Sequence, residues 1–156
     1  MSKSIIGTLC ALMVLAGCAG GAANTGTKVA TALSSTTAQS LVAGVENMSG
    51  PVGTVIAKVN AGLTAVQSDK AMVCAGMSWA NALFQVASSS GLVPASDAAT
   101  EGAAMVATNG LCNSTTTDVA SAVAAVSQTY LNTTAALKAA GVPVTVPAPA
   151  AATPAS

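Results

Sequence analysis

Histidine and arginine are missing from this 156-residue sequence, and charge of either sign is scarce, with five lysines, five carboxylates and a formal net charge of zero. Without histidine, the common hydroxyl or thiol nucleophile lacks its usual base, and a metal site lacks its commonest nitrogen ligand. Without a basic surplus there is no electrostatic footprint for nucleic acid or anionic lipid. Trp79, Phe84 and Tyr130 are the only aromatic residues, which leaves no stacking platform for bases or sugars. No cofactor, no metal and no nucleic-acid partner is expected.

The five acids, Glu46, Asp69, Asp97, Glu101 and Asp118, are spread over separate segments. Asp97 and Glu101 stand one helical turn apart and offer the nearest thing to a catalytic carboxylate pair. Their simpler explanation is a helix first turn, where negative charge offsets the macrodipole, and the same holds for Asp69 and Asp118. The chain is therefore not expected to be an enzyme. Residues 71–96 carry no charge at all, but Ser78, Asn81, Gln85 and the serines at 88–90 interrupt the run, and unpaired amides in hydrocarbon cost several kcal/mol each. That segment is not expected to span a membrane.

What the sequence does have begins at its N-terminus. Lys3 precedes an apolar stretch from Ile5 to Ala16 that is shorter than the roughly 20 residues a spanning helix needs, and small residues follow it. Leu15-Ala16-Gly17-Cys18 resembles the lipobox of bacterial lipoproteins, in which a small-residue triplet precedes a cysteine. The resemblance covers residues 1 to about 20 and is silent on the rest. It implies cleavage between Gly17 and Cys18 and transfer of a diacylglyceryl group to the Cys18 thiol, with further acylation, for instance by palmitate, at the new N-terminus. Two or more acyl chains anchor stably where one is marginal. Ala19, not aspartate, follows Cys18, so the resemblance further implies the outer membrane, facing the periplasm, in a Gram-negative host.

With Cys10 removed in the signal and Cys18 lipidated, Cys74 and Cys112 remain. In an exported protein an even remainder is a disulfide candidate, because the compartment outside the inner membrane is oxidising. Two separate buried thiols are the alternative, and a metal site is disfavoured by the lack of histidine and of nearby carboxylates.

The rest of the chain reads as helix. Four segments are expected: signal peptide 1–17, lipidated flexible tether 18–27, helical domain 28–141 and a disordered Pro/Ala-rich tail 142–156. Within the domain, a first helix runs from Lys28 to Met48 on Val29, Leu33, Leu41 and Val45, weakened at Thr36 and Thr37, and Gly50-Pro51 stops it. Val52, Ile56, Val59, Leu63 and Val66 form the clearest apolar stripe of a second helix. Ser68-Asp69 offers an N-cap for a third from Ala71 to Ala87, bearing Met72, Met77, Leu83 and Phe84. A fourth covers 96–108, ending at Asn109-Gly110 with Cys112 in the following turn, and a fifth runs from Thr115 to Ala140 before Gly141.

Helices with short connections and no strand-period segment outside the tail predict an all-α fold, a small antiparallel bundle of four to five helices. Such a module, anchored by lipid, fits a non-enzymatic structural or binding role towards another envelope component. Trp79 and Phe84 are the candidate partner or ligand contacts, because tryptophan is enriched in hot spots; core packing is the simpler explanation of Trp79. Two variants of that expectation are a carrier enclosing an apolar ligand among Met72, Met77, Trp79 and Phe84, and an exclusion lipoprotein of the phage or plasmid type.

Overall fold

The computed structural model describes residues 26–115 and 117–147, so the signal, Cys18 and the lipobox lie outside the described residues. Helical backbone over 26–32 (α1) precedes α2 (Thr36–Asn60), α3 (Gln67–Ser89), α4 (Ala95–Asn113) and α5 (Val119–Ala139). The protein is an all-α bundle, with no strand among the described residues.

Cross-helix pairs fix the antiparallel course. Along α2 and α3, Gly44 meets Trp79, Val52 meets Gly76, and Lys58 meets Asp69, one index rising as the other falls. On α4 and α5, Glu101 meets Thr133 and Thr108 meets Thr129 in the same inverse order. α3 packs chiefly against α2 and α5, and α4 leans on α5 and α3. The core between them is built from Val45, Val52, Val73, Met77, Leu83, Phe84, Val123, Val126, Tyr130 and Leu137.

Close approach replaces bulk in this core. An alanine Cβ at Gly76 would lie 2.6 Å from Val52 Cγ2, and one at Gly44 would lie 2.3 Å from Trp79 Cε3. Real Cβ atoms do not tolerate such separations, so both glycines are required by packing.

Several boundaries differ from the sequence expectation. The first helix does not stop at Gly50-Pro51; α2 runs through, with Pro51 inside it. Pro51 and Asn47, whose carbonyl loses its partner, are both exposed, while Val52, Val55 and Ile56 are buried beyond the proline. Burial of that face outweighs the lost hydrogen bond. The break falls instead at 33–35, where Ser35 caps α2 by accepting from the Ala38 N–H at 3.1 Å. Because α2 ends at Asn60, Leu63 and Val66 leave the expected stripe and are 60% and 47% exposed.

α3 starts before the expected cap. Asp69 sits inside its first turn and accepts from the Val66 N–H at 2.8 Å. α4 continues past Asn109-Gly110 to Asn113, so Cys112 lies in its last turn and not in a loop. Leu111 and Cys112 pack against the core, and the buried Lys70 donates through Nζ to the Ser114 carbonyl at the helix end. α5 is capped by Asp118, which accepts from the Ser121 N–H at 3.0 Å. Gly141, with φ +86°, ends it by a backbone turn that other residues resist.

Beyond Gly141 the backbone is neither helix nor strand as far as residue 147, yet it packs where the sequence suggested a free tail. Val142, Val144 and Pro147 are buried. Glu46 accepts from both the N–H and the hydroxyl of Thr145, and Ser49 Oγ donates to the Thr145 carbonyl at 3.0 Å. Pro147 reaches α2 at Gly53. Residues 148–156 lie outside the described residues.

Candidate functional site

The cysteine pair comes together as expected. Cys74 on α3 and Cys112 on α4 form a disulfide with α-carbons 5.7 Å apart, within the range such a bond allows. It closes a sequence separation of 38, which restricts the unfolded chain by about 4 kcal/mol in the entropic description. A surface recess of about 480 Å³ borders the bond and is lined also by Gln67, Lys70 and Ser114. Lys70 is committed to the α4 carboxyl end, where a cation complements the helix dipole.

Trp79 and Phe84 separate. The Trp79 ring lies against Gly44 of α2 while the residue stays 41% exposed. Phe84 is buried in the core. The four side chains expected around a ligand do not share a cavity: Met72 is 39% exposed, Met77 belongs to the core, and of the four only Phe84 borders the open groove described next.

That groove, about 310 Å³, runs between α3 and α4. Phe84 and Met105 wall it, Ala98 and Gly102 line its α4 side, and Ser88 lies on its α3 side. The amides of Asn81, Gln85 and Asn109 complete the lining, and none of its residues is ionisable. Gln85 already donates to Asn81 at 3.1 Å. Ser88 Oγ is buried and has no hydrogen-bond partner. Sequence periodicity gave no sign of this groove, because it depends on small α4 residues that register only as a weak stripe.

The carboxylates are occupied structurally. Asp69 holds Lys58 at 2.6 Å, and this contact together with the Val66 N–H keeps its pKa below the ordinary aspartate range. Hydrogen bonds from Ser121 do the same for Asp118. Asp97 accepts from Ser96, whereas Glu101 turns to α5 and accepts from the buried Thr133 at 3.3 Å. Glu46 clasps Thr145, a pairing across 99 residues that no local spacing announces. Nearby, Tyr130 donates to the Val45 carbonyl at 3.3 Å and lies 3.5 Å from Ser49 Oγ. Burial pushes its phenol pKa upward, opposed by the Ser49 contact and reinforced by the Glu46 charge.

Among the described residues no group of three or more His, Cys, Asp or Glu side chains is placed to hold a metal ion, and no helix is long and apolar enough to cross a membrane. In comparison with known proteins, no family model, no curated protein and no solved structure matches the chain.

Proposed function

We propose that the chain is a lipid-anchored envelope protein whose disulfide-stapled helical domain serves a non-enzymatic binding role towards another envelope component. The observation that carries this reading is the Cys74–Cys112 pairing in a chain that opens with a lipobox-like Leu15-Ala16-Gly17-Cys18. Disulfides persist in oxidising compartments, which is where a lipidated Cys18 would deliver the domain. The carboxylates support a binding role over catalysis, since Asp69 and Asp118 serve helix starts, Glu46 holds Thr145, and Asp97 and Glu101 accept from separate hydroxyls, Ser96 and Thr133. Exclusion lipoproteins are one setting for such a role, offered by analogy alone. In a Gram-negative host Ala19 favours the outer membrane.

Labelling with radioactive palmitate and membrane fractionation test the anchor. Wild-type chain is expected in the membrane fraction carrying label, and Cys18→Ala chain should lose the label and be released or keep its signal uncut. Equal membrane retention of an unlabelled, correctly cleaved Cys18→Ala protein would overturn the reading.

A further inference from the structure

We propose that the outer face of α3 is a self-association surface, on which a second copy of this chain packs about a parallel two-fold axis. Pairing needs only the folded domain, while its parallel sense rests on the lipid-anchor reading. Met72, Ala75, Trp79, Ala82 and Val86 follow one another in alternating steps of three and four residues, the spacing of a seam between paired helices. None of the five is buried: Met72, Ala75 and Trp79 are exposed, and Ala82 and Val86 are partly so. The seam is about 21 Å long at the helical rise. A continuous apolar line of that length marks an interaction site where a lone exposed residue would not.

Two features of the seam fit it to its own copy. Every seam residue meets its counterpart in a parallel pair, so alanine faces alanine at 75 and 82 and the helices can approach closely there. The Trp79 ring does not obstruct that approach, because it is folded onto α2 at Gly44, the position where a Cβ would collide with it. Charge is the second feature. Residues 71–96 carry none, and the exposed positions beside the seam hold Ala71, Ser78 and Gln85, so identical faces meet without like-charge repulsion.

The anchor sets the sense of the pair. Thr27, Lys28 and Thr31 of α1 share a surface recess with Ser90, and Val29 lies against Gly141, so α1 sits at the end of the bundle where α3 and α5 finish. From Cys18 to Gly26 the chain reaches at most about 29 Å. An upright antiparallel pair centred on Trp79 would separate the two α1 ends by about 30 Å along the bundle, beyond that reach for the farther copy. A parallel pair keeps both α1 ends at the membrane, and confinement to that surface raises the effective concentration of copies.

The test applies a short membrane-permeant bismaleimide to cells making the full chain with a single added thiol, Met72→Cys or Val86→Cys. Each variant is expected to give a covalent dimer, whereas Ala107→Cys on the exposed side of α4 should give none. Unsubstituted chain should not cross-link, since Cys74 and Cys112 are bonded to each other and Cys18 carries lipid. A product from that chain would count against the anchor and not the pairing, and the two variants are then read in a Cys10→Ala, Cys18→Ala background. Ala75→Glu should remove the Met72→Cys dimer, and co-expression of Ala75→Glu with Ala75→Lys copies should restore it, which also shows that the charged variants fold. Absence of product from both Met72→Cys and Val86→Cys, equal product from Ala107→Cys, or persistence of the dimer with Ala75→Glu would overturn self-association. Product only between Met72→Cys and Val86→Cys copies mixed in one cell would overturn its parallel sense.

Discussion

Trp79 and Gly44 make a pair in which each side chain, present or absent, sets what the other contributes. Alanine at Gly44 would gain about 1 kcal/mol in helix propensity but collide with a rigid indole. Gly44→Ala alone is expected to destabilise by about 1–3 kcal/mol. In a Trp79→Ala background the same change should become neutral or stabilising, and urea unfolding of the four proteins in a double-mutant cycle reads that change of sign. Tyr130 gives a second residue-scale outcome. As the one tyrosine, its phenolate absorbance can be titrated without overlap from another, and its midpoint should lie above the usual value near 10. Because the folded pKa is raised, the associated stability is complete below the unfolded value and is lost as pH rises through the folded one. A midpoint at or below the unfolded value, measured on folded protein, would mean that the ring is not buried against Val45 and Ser49.

At the scale of elements, α2 carries the clearest departure from sequence logic. Pro51 in mid-helix removes an N–H and ordinarily costs about 3 kcal/mol. Here Pro51 lies on the exposed side of a helix whose other face is buried. Pro51→Ala should therefore stabilise the protein by about 1–3 kcal/mol in thermal or urea unfolding, less whatever the freer unfolded chain takes back; destabilisation would indicate that a kink at Pro51 is needed for α2 to pack.

The helical class and the stripes on α3 and α5 were legible because Val73, Met77, Leu83, Val126 and Leu137 recur at helical spacing. The ends were not, because local breakers such as Gly50-Pro51 and Asn109-Gly110 are overridden by distant packing. The segment 142–147 was illegible for a related reason. Val142 and Val144 join the core only in the folded bundle, and the Glu46 and Ser49 of α2 that receive Thr145 lie nearly a hundred residues earlier. The candidate site divides in the same way: the Cys74–Cys112 pairing followed from counting cysteines, whereas the α3–α4 groove depends on which small residues of α4, Ala98 and Gly102 among them, come to face α3.

For the whole molecule, a modest core of valine, alanine and tight glycine contacts is joined across α3 and α4 by one covalent link. Reduction of Cys74–Cys112 is expected to lower the thermal midpoint by on the order of 15 °C for a loss of about 4 kcal/mol, while far-ultraviolet circular dichroism at 25 °C stays helical. Unchanged melting after complete reduction would mean that the bond does not constrain the unfolded chain. The proposed export and anchoring are joined to that staple through the compartment they imply. Intact mass of the protein purified from its own membranes tests both at once. The account predicts a chain beginning at Cys18, heavier by its acyl groups and lighter by the two hydrogens lost in forming Cys74–Cys112. A chain with an unmodified Cys18 thiol and with Cys74 and Cys112 reduced would contradict it.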